Sequence, residues 1–264
     1  MSFFVANNIS AGYGKQKILE NISFHLEEGI LMGVIGANGS GKTTLLKSVC
    51  GILPHGGACP LEGTVLETLS PRQLARLVSY IPQRSGIRIE IYPLDVVLMG
   101  FNPRLGLLEQ PTQAMVEHAY TALAQVGLGG REQTNYLHLS EGQKQLCILA
   151  RTLVSDCKLL LLDEPESALD FRFRHRMLDL LRSWISENQI SALVSLHDPL
   201  LALNYCDKLL LLSDGTLIGE LLPRSHSLPE MEMLLAQVYG PVSLQRCKNR
   251  SRKDILVMLK ENVQ

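Results

Sequence analysis

Residues 36–44 of the chain read GANGSGKTT, and they follow directly on an apolar run over residues 30–35. A Gly-x-x-x-x-Gly-Lys-Thr pattern between a strand and a helix is that of a P-loop. Its glycines let consecutive backbone N–H groups face a bound anion, and the helix N-terminus adds partial positive charge. The stretch therefore predicts a polyphosphate site. A glycine-rich turn that binds nothing would not explain the spacing of the lysine and the hydroxyl.

Each polar side chain of this loop has a predicted role. Lys42 is expected to reach the β- and γ-phosphates of a nucleotide, and the Thr43 hydroxyl is expected to ligate Mg²⁺. The predicted nucleotide-binding residues of the loop are Gly36, Asn38, Gly39, Ser40, Gly41, Lys42, Thr43 and Thr44.

Two carboxylates stand at the end of a second apolar run, LLLLDE over residues 159–164. Sites in α/β proteins form at the carboxyl ends of parallel strands. Asp163 is predicted to hold Mg²⁺ through water, and Glu164 to act as the general base that polarises an attacking water. By itself the pattern fits an acidic helix N-terminus equally well, but a P-loop upstream favours the catalytic interpretation.

His197 and Gln83 also follow predicted strands. A lone histidine is more often structural, but strand ends that meet in one crevice favour a histidine that hydrogen-bonds the γ-phosphate or the attacking water. Gln83 carries a neutral amide, which suits a Mg²⁺ ligand or a group that orients water.

The stretch LSEGQ over residues 139–143 predicts a second anion site. Ser140 and Gln143 form the S-x-x-Q of a capping box, and the N–H groups of that helix N-terminus face outward. An ordinary capped helix is the alternative. Because one chain has little use for two γ-phosphate cradles, we expect two chains to pair head to tail and to enclose two ATP molecules.

The order of predicted elements indicates an α/β fold. Strands separated by helices imply a mostly parallel sheet, preceded by an antiparallel β region at the N-terminus. Residues 85–154 are helical in pattern and read as an inserted subdomain between core segments 1–84 and 155–222. Residues 223–264 form a tail with one predicted short helix and ambiguous β-like runs.

Composition limits the partners. The 264 residues include 25 basic and 26 acidic side chains, so a net charge of −1 gives no electrostatic footprint for nucleic acid. Six cysteines without C-x-x-C spacing predict a reducing cytosol and no metal site formed by the cysteines. The N-terminus does not have the pattern of a secretory signal, and no apolar run approaches the roughly 18 residues of a membrane span. Docking on an integral membrane protein stays open.

Taken together, these motifs resemble the ATP-binding-cassette (ABC) ATPases, over about residues 3–220. GANGSGKTT is similar to Walker A, LLLLDE to Walker B and LSEGQ to the signature motif. The remaining matches are Gln83 with the Q-loop, SALD at residues 167–170 with the D-loop, His197 with the switch histidine, and Tyr13 with the aromatic residue that stacks on adenine. From its flanking glycines alone, Tyr13 would read as an exposed loop residue.

The resemblance implies a RecA-like P-loop NTPase fold within one cassette domain over residues 1–240. It also implies ATP and Mg²⁺ as cofactors, and Ser140, Gly142 and Gln143 as contacts to the nucleotide of a second copy of the chain. Further implied partners are integral permease subunits at the cytoplasmic face of the membrane and, indirectly, a solute-binding protein. The stretches YIPQ, PLDVVLMGF and GLLEQPT resemble the corresponding motifs of the subfamily that energises import of iron–siderophore complexes, haem or cobalamin.

Three alternatives stay open at this point. A soluble ABC ATPase of DNA repair, chromosome organisation or translation is disfavoured because the chain has no long coiled-coil insertion, second cassette or basic face. The ATPase of an exporter is disfavoured only by the subfamily resemblance of these stretches. A metabolic P-loop kinase would not explain LSEGQ or His197.

Two positions depart from the family pattern. Glu141 stands where glycine is usual, and Glu166 stands where threonine or a small residue is usual. Glu141 falls in the first turn of a helix, where the helix dipole favours a carboxylate, but it must point away from a bound nucleotide.

Overall fold

The structure is a computed structural model that describes residues 3–84, 86–106 and 108–261. Predictions at the start of the N-terminal segment, at Ser85, at Leu107 and at the end of the tail lie outside the described residues. The strands are β1 (Phe4–Tyr13), β2 (Gln16–Leu26), β3 (Leu31–Gly36), β4 (His55–Ala58), β5 (Pro60–Leu61), β6 (Thr64–Val65), β7 (Val78–Ile81), β8 (Leu159–Asp163), β9 (Ser191–Ser195), β10 (Lys208–Ser213), β11 (Thr216–Leu221), β12 (Val242–Lys248) and β13 (Asp254–Lys260).

The described ranges contain eight α-helices. They are α1 (Lys42–Val49), α2 (Pro71–Leu77), α3 (Pro93–Leu98), α4 (Gln113–Gln125), α5 (Glu141–Leu153), α6 (Phe171–Asn188), α7 (Pro199–Tyr205) and α8 (Leu228–Tyr239). Short 3-10 helices span Leu66–Thr68, Met99–Phe101 and Tyr136–His138. Side-chain caps explain several starts, because Ser70, Thr112 and Ser140 each accept a hydrogen bond from a backbone N–H of the first turn.

The chain divides into two compact units. The first is drawn from Met1–Glu67 and Ser191–Gln264, and the second from Thr68–Ile190. The predicted helical insertion, residues 85–154, falls entirely within the second unit. Its separation from the core at residues 84 and 155 stays a prediction.

The first unit contains an antiparallel sheet in the order β2-β1-β5-β6, with β4 also paired to β1. Apolar residues alternate along β2, so that Ile22, Phe24 and Leu26 are buried between exposed neighbours. Strand β1 runs on to Tyr13. The tight turn between β1 and β2 places this tyrosine opposite Gln16.

The same unit carries parallel strands in the order β10-β3-β9, and β11 lies antiparallel at the edge of β10. All residues of β3 and β9 are buried, as expected for strands covered on both faces. Asp214 and Gly215 both have positive φ, at 46° and 75°, which is the turn that the Asp-Gly pair predicts for the hairpin from β10 to β11.

In the second unit, β7 pairs in parallel with β8. Helices α3, α4 and α5 pack on one another. Parallel strand pairs in both units and the antiparallel N-terminal sheet confirm the predicted α/β class.

The tail is more ordered than its sequence suggests. Helix α8 begins at Leu228, and β12 and β13 pair antiparallel along their whole length. Their burial does not alternate cleanly, which explains why the sequence left them ambiguous. None of the helices in the described ranges has both the length and the apolar character needed to cross a bilayer.

Candidate functional site

The P-loop connects β3 to α1 by a turn that requires glycine at two positions. A Cβ on Gly36 would lie 2.3 Å from the Leu212 carbonyl oxygen, and one on Gly41 would lie 2.5 Å from the Leu19 side chain. Gly41 also has φ 104°, in the left-handed region, and is the N-cap of α1. The chain therefore turns sharply at the end of a buried strand, as the sequence predicts. Asn38 and Gly39 are exposed in this turn.

Lys42 is held inside the loop that it follows. Its Nζ donates hydrogen bonds to the carbonyl oxygens of Gly36, at 2.9 Å, and Ala37, at 3.1 Å. The side chain is only 5% exposed. A buried ammonium needs partners of this kind, and it supplies a fixed positive charge at the first turn of α1.

The loop also contains a buried hydroxyl that suits a phosphate. Ser40 is 4% exposed, and its Oγ has no hydrogen-bond partner within the described part of the chain. A buried, unpartnered donor is costly, at roughly 1–3 kcal/mol, and such atoms commonly indicate a missing ligand. This unpartnered hydroxyl can donate a hydrogen bond to a phosphate oxygen, and the Lys42 ammonium can neutralise its charge. Thr44 is buried behind the loop, and Thr43 is half-buried.

His197 lies at the level of the P-loop in the same unit. Strand β9 pairs in parallel with β3, and the last matched pair is Val34 with Ser195. Two residues further on, Gly36 and His197 therefore leave the same edge of the sheet. The His197 side chain is exposed there.

Tyr13, the predicted adenine-stacking residue, is the last residue of β1 in this unit. Its side chain is 49% exposed, so one face of the ring is open to a ligand. The tight turn to Gln16 fixes its backbone.

Tyr239 is a residue near the site that the sequence analysis missed. It is the last residue of α8, and its buried hydroxyl is near the backbone of Gly36 but has no hydrogen-bond partner of good geometry within the described residues. Burial raises the pKa of Tyr239 to about 12, whereas the contact with Gly36 acts in the opposite direction and Asp198 adds to the rise. The phenol is thus neutral at physiological pH. No motif signals this contact, because it depends on how the tail packs.

The second unit holds the acidic residues. Asp163 is the last residue of β8 and is 2% exposed. The hydroxyl of Tyr80, from the neighbouring β7, donates a hydrogen bond of 3.2 Å to Asp163 Oδ2. A buried carboxylate oriented by a hydroxyl is a hard oxygen donor of the kind that Mg²⁺ prefers.

Glu164 and Gln83 are brought together by the pairing of β7 with β8. The matched pair Ile81 and Leu162 is followed, two residues on, by these two side chains. Gln83 Nε2 donates a hydrogen bond of 2.7 Å to Glu164 Oε2. Glu164 has φ 45°, a left-handed conformation that costs a non-glycine residue about 1–3 kcal/mol and that clusters at functional sites.

The LSEGQ stretch forms the predicted capped helix terminus. Ser140 Oγ accepts a hydrogen bond of 3.2 Å from the Gln143 N–H, and Gln143 Oε1 accepts one of 3.0 Å from the Ser140 N–H. Gly142 is closely packed, since a Cβ there would lie 3.2 Å from both the Ala168 carbonyl oxygen and the Leu169 side chain. The helix N-terminus of α5 is therefore held against the SALD segment of its own unit.

The two departures from the family pattern are accommodated differently. The Glu141 side chain is 71% exposed, and its carboxylate pairs with Lys144 Nζ at 2.8 Å. This pair spans one turn of α5, and the direction of the Glu141 carboxylate relative to a bound nucleotide stays a prediction. Glu166 is 2% exposed, so its carboxylate is part of the interior of its unit.

A family model described as ABC transporter matches residues 19–167. A protein of Helicobacter pylori described as a probable iron chelatin transport ATP-binding protein is 34% identical over 217 residues, which cover 80% of this chain and 83% of the relative. The hemin import ATP-binding protein HmuV of Vibrio anguillarum is 34% identical over 244 residues, covering 90% of this chain and 91% of the relative.

Solved structures are similar to this chain as well. A chain described as an inward-facing metal-chelate type ABC transporter superposes with a TM-score of 0.82 at 25% identity, and the match covers 99% of both chains. A nucleotide-free ATP-binding cassette at 24% identity has a TM-score of 0.77 over 90% of this chain and 97% of that one, and this likeness concerns the fold alone.

Proposed function

The chain belongs to the ABC transporter family, and we propose that it is the ATP-hydrolysing subunit of an importer for metal chelates such as iron–siderophore complexes, haem or cobalamin. The observation that carries the enzymatic part is the Gln83–Glu164 pair beside the buried Asp163, in a chain that also has a complete P-loop. The chelate class is supported by the relatives described as iron chelatin and hemin transport proteins.

ATP binding is assigned to the P-loop and Tyr13. Lys42 and the backbone N–H groups from residues 36–44 neutralise the phosphates, and the unpartnered Ser40 hydroxyl gains an acceptor. The exposed ring of Tyr13 stacks on adenine.

Mg²⁺ is assigned to Thr43, Gln83 and Asp163. Their hydroxyl, amide and carboxylate oxygens are hard donors, which fit this ion. When bound, Mg²⁺ would neutralise charge that develops on the phosphate oxygens. The Gln83 amide has a separate donor and acceptor, so its Oε1 could bind the metal while its Nε2 donates a hydrogen bond to Glu164.

Hydrolysis is assigned to Glu164 as general base. Its carboxylate accepts the proton of an attacking water, and the Gln83 hydrogen bond orients it for that step. His197 donates a hydrogen bond toward the γ-phosphate or that water, and Lys42 stabilises the negative charge of the transferred group.

A second copy of the chain is the proposed partner for each nucleotide. Ser140, Gly142 and Gln143 lie at a capped helix N-terminus, which favours an anion, and the neighbouring Glu141 carboxylate pairs with Lys144. In a head-to-tail homodimer this terminus would contact the γ-phosphate held by the partner's P-loop. ATP then closes the dimer and hydrolysis releases it.

Transport requires integral permease subunits, and we place the chain at the cytoplasmic face of the membrane on such a permease. A solute-binding protein would deliver the chelate to the permease. No basic face for nucleic acid is part of this function, since the net charge is −1.

The proposal is tested by producing the chain together with the permease encoded beside it and reconstituting the purified complex in liposomes. ATP-dependent uptake of an iron chelate, haem or cobalamin is expected, and Glu164→Gln is the matched control that binds ATP without transport. ATPase activity without any association with a permease would contradict the transport function. Uptake of an unrelated solute would contradict only the chelate class.

A further inference from the structure

Three potential metal ligands converge in the first unit, on residues that have no role in nucleotide chemistry. His55, Cys59 and Glu67 each direct one donor atom to a common point, and these three atoms lie within 4.8 Å of one another. The set combines an imidazole nitrogen, a sulfur and a carboxylate oxygen. These are the ligand types that zinc and related transition metals use.

The backbone holds Cys59 beside Glu67. Glu62 and Gly63 both have positive φ, at 47° and 80°, and form the two-residue turn of the hairpin from β5 to β6. The hairpin closes with a hydrogen bond of 3.1 Å from the Leu66 N–H to the Cys59 carbonyl oxygen. The 3-10 helix that starts at Leu66 then carries Glu67 back over the cysteine.

His55 is oriented toward the other two side chains. Its Nδ1 lies 3.1 Å from the Gly56 carbonyl oxygen, and because a carbonyl can only accept, Nδ1 carries the proton. The other ring nitrogen, Nε2, lies 3.3 Å from Glu67 Oε1. A backbone carbonyl that fixes the tautomer of a histidine in this way is the usual outer partner of a metal-bound imidazole.

Burial separates the group from bulk water while leaving one side accessible. The His55 side chain is 5% exposed, Cys59 is fully buried, and Glu67 is 30% exposed. The Cys59 thiol donates a hydrogen bond to the Glu67 carboxylate. An open cleft of about 370 Å³ is lined by His55 and by residues of the β1–β2 turn, and the exposed part of Glu67 is the side of the cluster that solvent reaches.

We propose that His55 Nε2, Cys59 Sγ and a Glu67 carboxylate oxygen bind one divalent transition-metal cation of the Zn²⁺ type, with water as the fourth ligand. On binding, the Cys59 S–H bond breaks, its proton leaves to solvent, and the thiolate sulfur donates to the metal without any change of oxidation state. The sequence analysis predicted no metal site at the cysteines, because it relied on paired-cysteine spacing. The ligand spacing H-x₃-C-x₇-E becomes a site only through the β5–β6 hairpin.

A cation at this site would stabilise the pairing of β4 with β1, the strand that ends at Tyr13. His55 pairs with Ala11 in the β1–β4 ladder, and Tyr13 lies two residues further along β1. A cation that joins β4 to the residues after β6 therefore cross-links three segments of the N-terminal sheet. Binding to the folded state alone would raise the melting temperature.

The test uses the purified full-length chain, stripped of metal and free of nucleotide and Mg²⁺, titrated with Co²⁺ and then with Zn²⁺. One equivalent of Co²⁺ is expected to give a thiolate-to-cobalt charge-transfer band together with the intense visible bands of four-coordinate cobalt. Zn²⁺ should abolish both by displacement, and it should raise the melting temperature.

Variants assign the ligands. Cys59→Ser should remove the charge-transfer band, and His55→Gln and Glu67→Gln should each weaken Co²⁺ binding by at least about 10-fold. Cys247→Ser, which changes an exposed cysteine, is the matched control and should bind like the wild type. If circular dichroism shows that Cys59→Ser is unfolded, the proposal is tested by the two glutamine variants and by the wild-type spectrum. A wild-type chain that gives no thiolate band would overturn the proposal and leave a His55–Glu67 ion pair beside a thiol. Binding that all three ligand variants retain would also overturn it.

Discussion

Gln83 Nε2 and Glu164 Oε2 are joined by a hydrogen bond of 2.7 Å that links the ends of two neighbouring parallel strands. The two residues are 81 positions apart in the chain. Their contact gives the candidate base a fixed partner before any nucleotide arrives. The left-handed backbone of Glu164 is a further sign that this position is held in a special geometry.

Replacing Glu164 by glutamine should abolish turnover while leaving ATP binding intact. The amide preserves size but cannot accept a proton, so phosphate release should fall by at least about 100-fold. Size-exclusion chromatography with ATP should then detect a stable dimer, because closure occurs without release. Wild-type turnover in this variant would remove Glu164 from its role.

Replacing Gln83 by glutamate should shift the acid limb of the ATPase pH profile to higher pH. The new carboxylate would stand beside Glu164 in place of a hydrogen-bond donor, and like charges at this distance raise the pKa of a carboxyl group. The base is then protonated, and activity lost, at a higher pH than in the wild type. Gln83→Ala is the control, since it removes the bond without adding charge and should lower the rate without this upward shift. An unshifted acid limb in Gln83→Glu would show that the two side chains do not interact during catalysis.

Changes at Ser140 and Glu141 should have opposite outcomes although the residues are adjacent. Ser140→Ala removes the side-chain cap of α5, which costs about 1 kcal/mol in stability. It also removes a proposed hydrogen-bond donor to phosphate, so ATPase activity should fall on the order of 100-fold.

Glu141→Gly removes an exposed ion pair with Lys144 that contributes little to stability, and ATPase activity should be unchanged or higher. A loss of more than about tenfold in Glu141→Gly would contradict the view that this carboxylate faces away from the nucleotide.

Replacing Lys42 by alanine should weaken ATP binding without unfolding the chain. The ammonium is expected to contribute about 10-fold to 100-fold in affinity through charge-assisted hydrogen bonds to phosphate. Fluorescence titration with a nucleotide analogue measures the affinity, and the melting temperature without nucleotide is the control. Unchanged nucleotide affinity would show that Lys42 Nζ keeps its bonds to the Gly36 and Ala37 carbonyls when ATP is present.

The sequence by itself determined the chemistry of the site. Glycine spacing, a lysine and a hydroxyl specify a P-loop, and short-range rules specify the capping box at Ser140 and the Asp-Gly turn at Asp214. These features depend on residues within one turn or one loop of each other. Local patterns therefore predict them, and the family resemblance placed the remaining motifs in order.

The tertiary structure alone decided what distant residues do to one another. Strand register brings Gln83 to Glu164, and Tyr80 to Asp163. Packing of the tail brings the Tyr239 hydroxyl to Gly36, and a two-residue hairpin turns His55, Cys59 and Glu67 into one cluster. Such contacts arise from strand pairing and burial between distant parts of the chain. The local sequence around each residue therefore does not predict them.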